Sequence, residues 1–265
     1  FVLTQPADAL SRFNAGRKLH KAIYSHKYSK RLDSLEEAAS YINDKEEFIK
    51  TFSSKMNGIM GGWTRGYADT LLGRAGHTKS TMMTFDSVQK AIKHTVNEIS
   101  VIGIEEPEPH FWRRIFAMIL KLPIQDMRNK IVKISKKHIE KVKALLDNRI
   151  KFYSVTRFQD VIDLLYTLNS EFIWIDHIQA IKYPGRGNDL ANMIGGIPGL
   201  ISSEVEYLRL HPETAILNLS QVNEKALEMR LGRNIWKHPS YLDAYGSQIL
   251  HQHSREYLTV YYPYR

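Results

Sequence analysis

The sequence predicts an α/β protein in which helices cover both faces of a mainly parallel sheet. Short, continuously apolar segments rich in β-branched residues alternate with longer segments whose apolar residues recur at helical spacing. A strand that is apolar along its whole length is buried on both faces, as in parallel sheets. Because ligands of such sheets bind at the carboxyl ends of the strands, those ends are where we look for chemistry.

Six segments have the strand pattern, and helical segments separate them. The predicted strands are residues 68–73, 98–104 (EISVIGI), 150–154, 172–176 (FIWID), 214–220 (TAILNLS) and 257–262. The predicted helices are residues 79–94, a helix opened by Pro107 that holds FWRRIFAMIL, a helix from a Ser135 cap to Leu146, residues 161–168 and residues 200–210.

The first part of the chain has a different pattern from the rest. Apolar spacing predicts an amphipathic helix from Leu35 to Phe52, capped at Ser34 with Glu37 three residues later. The glycine-rich stretch GIMGGWTRG (58–66) follows. We therefore predict a helical N-terminal segment, 1–54, and a main domain, 55–265. Because the chain begins at Phe1 rather than Met, we expect it to be part of a longer protein.

Composition restricts the partners and the compartment. The 265 residues carry a net charge of +9, which favours a polyanionic partner such as nucleic acid or nucleotide; a merely basic protein is the alternative. The absence of cysteine excludes a disulfide scaffold and a thiolate metal site, and it fits an intracellular, reducing compartment. No apolar run reaches the length of a membrane span, so we expect a soluble protein without a membrane partner.

The stretch LLGRAGHTKST (71–81) has the arrangement of a phosphate-binding loop between a strand and a helix. Its backbone N–H groups, the Lys79 ammonium and the Ser80 hydroxyl would bind phosphates and Mg²⁺. Thr78 stands where the motif has glycine, and an ordinary turn with a solvated lysine is the alternative. The candidate nucleotide-binding residues are Gly73, Arg74, Ala75, Gly76, His77, Thr78, Lys79, Ser80 and Thr81.

Three further strand ends carry polar residues that would complete such a site. Asp176 ends FIWID and would hold Mg²⁺ with Ser80; a helix cap or a salt-bridged aspartate is the alternative. Glu105 follows the second strand as a candidate general base, with Glu106 as competitor and an acidic helix start as the alternative. Gln221 ends a later strand, where its amide would sense a γ-phosphate.

A basic stretch after Gln221 is the predicted nucleic-acid contact. Its cations are Lys225, Arg230, Arg233 and Lys237. Such a loop beside a nucleotide suits a nucleic-acid backbone, and a solvated loop is the alternative reading.

In their order along the chain, these segments resemble the RecA-like motor domain of hexameric replicative DNA helicases: DnaB, the phage primase-helicases and Twinkle. The resemblance runs from Met56 to Arg265. The segments that carry it are MNGIMGGWTRGYADTLLGRAGHTKST, IEEPEPHFWRRIFAM, FIWIDHIQAI, LNLSQVNEKALEMR and YGSQILHQHSREYLTVYYPYR. Each pattern is loose, but the five occur in the family's order.

The resemblance implies a RecA-like P-loop NTPase with ATP and Mg²⁺ as cofactors. It implies a homo-hexameric ring that hydrolyses ATP at subunit interfaces to move along single-stranded DNA, with a primase or helicase loader as further partner. The implied catalytic residues are Lys79, Glu105 and Gln221, while Ser80 and Asp176 hold the metal. Residues 1–54 would pack on the adjacent subunit.

The sequence departs from the family pattern at three places. Thr78 replaces a glycine and would crowd the nucleotide or shift the loop, and Asp243 stands where the family tends to carry arginine. The family's Lys-x-Arg finger does not occur before Arg265. Two alternatives therefore stay open: a RecA-like ATPase that is not a helicase, such as a recombinase or clock-type ring, and a degenerate ring subunit that binds nucleotide or DNA but hydrolyses weakly.

Overall fold

A six-stranded parallel sheet forms the centre of this computed structural model, which describes residues 47–76, 78–185, 189–223 and 247–260. The strands among them are β1 (Phe48–Ile49), β2 (Trp63–Thr64), β3 (Ala68–Gly73), β4 (Ile99–Gly103), β5 (Ile150–Ser154), β6 (Phe172–Asp176), β7 (Ala215–Gln221) and β8 (Tyr257–Val260). The helices are α1 (Ser54–Met60), α2 (Lys79–Ile92), α3 (Glu108–Leu120), α4 (Ile124–Arg128), α5 (Lys136–Leu146), α6 (Phe158–Leu165), α7 (Asp189–Leu210) and α8 (Ser247–His253), with a 3₁₀ turn at Ile178–Ala180.

The order of strands across the sheet is β5-β4-β6-β7-β3-β8, and every neighbouring pair is parallel. All six carboxyl ends therefore lie at one edge. The register aligns Gly73 with Gln221 and Gly103 with Asp176, so the strand ends are level within each of these two pairs. The predicted mainly parallel sheet is confirmed.

Helices cover both faces of this sheet, as predicted. On one face α2, α3 and α5 contribute Met83, Phe111 and Val142 to a core that includes Trp174 of β6. On the other face, Val161 of α6 and the apolar side of α7 pack against β6 and β7. None of the described helices is both long and apolar enough to cross a bilayer.

The predicted helix from Leu35 to Phe52 is wrong at its C-terminal end. Phe48 and Ile49 pair with Thr64 and Trp63 in an antiparallel ladder, and the Phe52 N–H donates to the Asp86 carboxylate at 2.9 Å. These partners take the backbone groups that a helix would use. The rest of that predicted helix, and the N-terminal segment up to residue 46, lie outside the described residues. The predicted boundary between residues 54 and 55 stays a prediction.

Two other boundaries differ from the prediction. Helix α7 begins at Asp189 rather than Leu200 and continues through Pro198, because Met193, Ile197 and Ile201 form a buried stripe at helical spacing that outweighs the lost hydrogen bond. Helix α6 covers 158–165 instead of 161–168. The stretch 58–66 is not wholly irregular, since α1 includes Gly58. Of the last predicted strand, residues 261 and 262 lie outside the described part.

Candidate nucleotide site at the strand ends

The loop from β3 to α2 holds a buried ammonium group. Lys79 is the first residue of α2, and its side chain is only 9% exposed. Its Nζ donates to the carbonyl oxygens of Gly73 at 2.7 Å and of Arg74 at 3.0 Å. A Cβ at Gly73 would come within 2.9 Å of the Lys79 Cγ, so glycine at the strand end lets the lysine fold back over it. The predicted loop residue His77 lies outside the described residues.

Thr78 has the backbone conformation of a glycine. Its φ of 62° and ψ of 15° lie in the left-handed region, where a β-branched residue is an outlier. The Thr78 side chain is exposed, and its carbonyl accepts the N–H of Met82 at 2.8 Å to begin α2. The loop geometry itself thus requires the conformation that glycine adopts most easily. Whether the side chain also crowds a nucleotide stays a prediction.

The two candidate metal ligands are neighbours. The Ser80 hydroxyl lies close enough to the buried Asp176 carboxylate at the end of β6 to stabilise its charge. Burial raises the pKa of Asp176 to about 6, the Ser80 hydroxyl opposes this, and the repulsion of Glu106 adds to it. Hydroxyl and carboxylate oxygens are ligands that Mg²⁺ accepts, and a cation there would stabilise the charged carboxylate. The donor set fits magnesium.

The adjacent carboxylates Glu105 and Glu106 have different partners. The Arg114 guanidinium of α3 binds Glu106 through both terminal nitrogens, while its Nε donates to Thr84 Oγ1 at 3.0 Å. Thr84 in turn donates to the Ser80 carbonyl oxygen at 2.7 Å. Glu106 therefore belongs to a network that anchors the first turn of α2.

Glu105 instead faces a histidine at the next strand end. Its side chain is 74% exposed, and its Oε2 lies 3.3 Å from the Nδ1 of His177. His177 is joined to Asp176 by a cis peptide bond. Burial lowers the pKa of His177, although Glu105 raises it, and Lys79 adds to the lowering. Of the two glutamates, Glu105 is the one not committed to an arginine.

The end of β7 is tied to the 3₁₀ turn after β6. The Gln221 N–H donates to Gln179 Oε1 at 3.0 Å, and Gln179 Nε2 donates to Ser220 Oγ at 2.7 Å. One side chain thus binds two consecutive residues of β7. It fixes the backbone of Gln221 opposite Gly73 and beside the strand that carries Asp176.

Comparisons with known proteins give a fold and not a sequence family. No protein-family model matches the chain, and no curated protein matches it either. Among solved structures, the ATPase domain of the protein G-40-P superposes with a TM-score of 0.67 at 12% identity, covering 87% of this chain and 84% of that domain. A DnaB-like replicative helicase, solved in a study of its interactions with primase, gives 0.62 at 9% identity, with 83% of this chain covered.

The chain has the RecA-like fold of replicative-helicase ATPase domains. At these identities the likeness concerns the fold alone. The chain spans about half, 53%, of the DnaB-like helicase. The RecA-like fold agrees with the architecture that the sequence resemblance implied.

Within the RecA-like sheet, the predicted site residues fall into two groups. Lys79, Ser80, Asp176 and Glu105 lie around the ends of β3, β4 and β6. The charge of Lys79 reaches both neighbours: it opposes the rise that burial causes in the pKa of Asp176, and it adds to the fall that burial causes in the pKa of His177. The predicted DNA contacts lie outside the described residues. They are Lys225, Arg230, Arg233 and Lys237. Asp243 and Arg265 lie outside them as well.

Four residues at this RecA-like site were not among the predicted ones. They are Thr84, Arg114, His177 and Gln179. His177 and Gln179 lie one and three residues after Asp176 in FIWIDHIQAI, so their place just past a strand end is a usable signal. Arg114 and Thr84 carry no such signal, because each lies inside a helix and acts through contacts between elements.

Proposed function

We propose that this chain is an ATP-hydrolysing motor domain that acts as a replicative DNA helicase. The observation that carries the proposal is the Ser80 hydroxyl next to the buried Asp176 carboxylate, with the buried Lys79 beside them at the carboxyl edge of a parallel sheet. A hydroxyl, a carboxylate and an ammonium around one glycine-containing loop are the groups that a magnesium-bound triphosphate needs.

In this proposal each residue has a separate part in the reaction. Lys79 exchanges the carbonyls of Gly73 and Arg74 for phosphate oxygens, since a charged acceptor binds an ammonium more strongly. Ser80 and Asp176 hold Mg²⁺, which would neutralise charge that develops on the phosphates. The exposed Glu105 orients and deprotonates the attacking water. Gln221 contacts the γ-phosphate.

The larger assembly belongs to the proposal as well. Its support is the likeness to a solved ATPase domain and to a DnaB-like replicative helicase studied with primase. We propose a homo-hexameric ring with ATP at the subunit interfaces, single-stranded DNA in the channel, and residues 1–54 packed on the neighbouring subunit. A primase or a loader would be the further partner, inside the cell.

ATP turnover of Lys79→Ala tests the site. We expect turnover to disappear while the circular-dichroism spectrum stays native, and Lys93→Ala, at the far end of α2, to keep wild-type turnover. Glu105→Gln should bind ATP and not hydrolyse it. Wild-type turnover in Lys79→Ala would end the assignment of the site.

A forked duplex tests the helicase activity. ATP-dependent strand displacement supports the helicase, whereas ATP turnover without displacement supports a RecA-like ATPase of another kind. If the basic segment after residue 223 contacts DNA, neutralising Lys225, Arg230 or Arg233 should each make the salt dependence of single-strand affinity shallower by about 0.7. An unchanged slope would remove that segment from the DNA path.

The left-handed Thr78 favours a second candidate, a ring subunit that binds nucleotide but hydrolyses poorly. Nucleotide affinity and turnover of the wild type and of Thr78→Gly decide between the two. A large gain in turnover on restoring glycine supports the weak hydrolase. Equal and substantial turnover in both proteins supports the active motor.

A further inference from the structure

One short segment of the described chain carries a high net positive charge. Residues 121–143 contain eight Lys or Arg and two Asp or Glu, a net charge of +6. We name these eight cations the basic surface. They are Lys121, Arg128, Lys130, Lys133, Lys136, Lys137, Lys141 and Lys143. The net charge of the whole chain does not show that these cations lie so close together in the sequence.

All eight cations are exposed, and in the described part of the chain none of them forms an ion pair. Neighbouring cations behave differently: Arg114 binds Glu106, Arg149 binds Asp147, and Lys151 binds Glu98. The repulsion within the basic surface is therefore left without compensation from the described chain.

Apolar packing and a capping box hold this segment folded despite the repulsion. Val142 and Leu146 of α5 are buried in the core against α2 and α3. Ser135 caps α5 by accepting the His138 N–H, and the His138 ring accepts the Ser135 N–H in return. The lysines of α5 thus lie on a fixed helix with their charges turned to solvent.

The basic surface lies apart from the candidate nucleotide site. Helix α3 starts near the strand ends, where Arg114 holds Glu106, and it continues to Leu120. Thirteen helical residues span about 20 Å, so Lys121 stands that far along α3 from Glu108. The charge of the basic surface is therefore available to a ligand other than the nucleotide.

The composition of the surface decides which polyanion it fits. Residues 121–146 contain no Phe, Tyr or Trp, so the surface offers no ring on which an unpaired base stacks. Seven of its eight cations are lysines, which act as point charges toward phosphate and do not make the two-pronged base contacts of arginine. Double-stranded nucleic acid has the denser row of phosphates, about one charge per 1.7 Å of axis.

We propose that the basic surface of α4, α5 and the adjoining loops binds the phosphate backbone of double-stranded nucleic acid, at a site separate from the nucleotide site. The contact is independent of base sequence and of ATP. It does not rest on the proposed motor activity, because neither Lys79 nor the strand ends take part in it.

A matched pair of triple variants tests the proposal. The first is Lys133→Gln, Lys137→Gln and Lys141→Gln within the basic surface. The second removes the same charge elsewhere, with Lys55→Gln, Lys93→Gln and Lys182→Gln, all exposed and without an ion pair among the described residues. Binding to a short blunt-ended duplex and to the single strand of equal length is followed by fluorescence anisotropy over a salt series, without nucleotide. A Lys79→Ala background keeps the outcome separate from ATP turnover.

The expected result is a wild-type preference for the duplex that the first triple variant loses. Its slope of log affinity against log salt should be shallower by about 2.7, or about 0.9 for each lost phosphate contact, and the control variant should keep the wild-type slope. Its thermal midpoint should be at least that of the wild type, because repulsion on α5 is relieved.

Three outcomes would overturn the proposal. Equal losses in the two triple variants would mean that net charge alone attracts the duplex. Equal wild-type affinity for single strand and duplex would contradict the choice of partner. The third outcome concerns a membrane, because Ile131 and Ile139 are also exposed on this segment. If the first variant loses binding to vesicles of phosphatidylcholine and phosphatidylserine while its duplex binding is unchanged, the surface binds a membrane instead.

Discussion

The side-chain oxygen of Gln179 accepts the backbone N–H of Gln221 at 3.0 Å. The nitrogen of the same amide donates to the Ser220 hydroxyl at 2.7 Å, so both ends of one side chain are used on β7. Gln179 lies three residues after Asp176, and it thereby joins the strand end that carries the proposed metal ligand to the strand end that carries the proposed γ-phosphate contact. We regard it as a positioning residue.

Replacing Gln179 should separate binding from turnover. In Gln179→Ala the Gln221 backbone loses its anchor, so we expect kcat for ATP to fall by about tenfold or more while KM changes little. Gln159→Ala, which removes an exposed glutamine bonded to Asp163, is the control. Steady-state ATP turnover over a range of ATP concentrations measures both constants. An unchanged kcat, or a loss that appears only in KM, would rule out the positioning role.

Restoring glycine at residue 78 should stabilise the fold. A left-handed conformation costs a non-glycine residue roughly 1–2 kcal/mol in the folded state. Glycine removes this strain, but it also raises the conformational entropy of the unfolded chain, which offsets part of the benefit. Thr78→Gly should therefore raise the free energy of unfolding by about 1 kcal/mol. His94→Gly is a matched control, since His94 has a φ of 51° at the other end of α2. Urea denaturation should show a similar gain in both, while nucleotide affinity changes only in Thr78→Gly. A loss of stability in Thr78→Gly would contradict the strain.

Arg114 should stabilise the fold through the shape of its guanidinium, which binds Glu106 and Thr84 together, and not through its charge alone. Arg114→Ala leaves Glu106 without a partner near Asp176, and we expect a loss of about 1–3 kcal/mol in the free energy of unfolding. Arg114→Lys should recover little, because an ammonium cannot serve both Glu106 oxygens and Thr84 at once.

A double-mutant cycle with Glu106→Gln isolates the Arg114 contact. The double variant should be less damaged than the sum of the single changes, by about 0.5–3 kcal/mol. Arg113→Ala, one residue earlier on α3, is the control and should unfold near the wild-type urea concentration. Strict additivity of the two changes would mean that the pair contributes nothing specific.

Glu204 should make stability depend on pH near neutrality. It is fully buried, and burial raises its pKa to about 7 although the Asn218 hydrogen bond at 2.9 Å opposes this. Because the pKa in the folded protein lies above that of the unfolded chain, the stabilising contribution is complete below about pH 4.5 and is lost as the pH rises to about 7. The neutral carboxyl also carries a donor, which suits the otherwise unpartnered Asn218 Oδ1.

Substituting Glu204 with glutamine tests that dependence. Glu204→Gln should remove the contribution of Glu204 to the decline between pH 5 and 8, while Asp69, whose pKa burial raises to about 7, keeps its own, and the variant should be the more stable protein at pH 8 by a margin on the order of 3 kcal/mol. Thermal melts across this range measure the effect, with the exposed Glu140→Gln as the control. Parallel pH curves for wild type and Glu204→Gln would refute it.

The strand ends could be predicted from the sequence because their signals are local. A run such as FIWID is apolar on both faces and stops at a carboxylate, and LLGRAG leads from a strand to a lysine at a helix start. Once such strands lie parallel, their ends meet without further information. The strand order and register that put Gly73 opposite Gln221 and Gly103 opposite Asp176 are not local and come from the structure.

What could not be predicted depends on partners far away in the sequence. Strand β1 exists because Phe48 and Ile49 meet Thr64 and Trp63, while its own residues have the spacing of a helix. The ion pair that separates Glu106 from Glu105 is made by Arg114, which lies in another element. In α7 the proline and glycines favour a break, but the buried stripe is stronger.

The Asp86 carboxylate has a mechanical consequence. It binds the Phe52 N–H, the Trp63 indole and the Lys90 ammonium, so residues 48–64 are fastened to the middle of α2. The first residue of that helix is Lys79. Because Asp86 and Lys79 belong to the same helix, residues 48–64 and the loop after β3 are held by one continuous element.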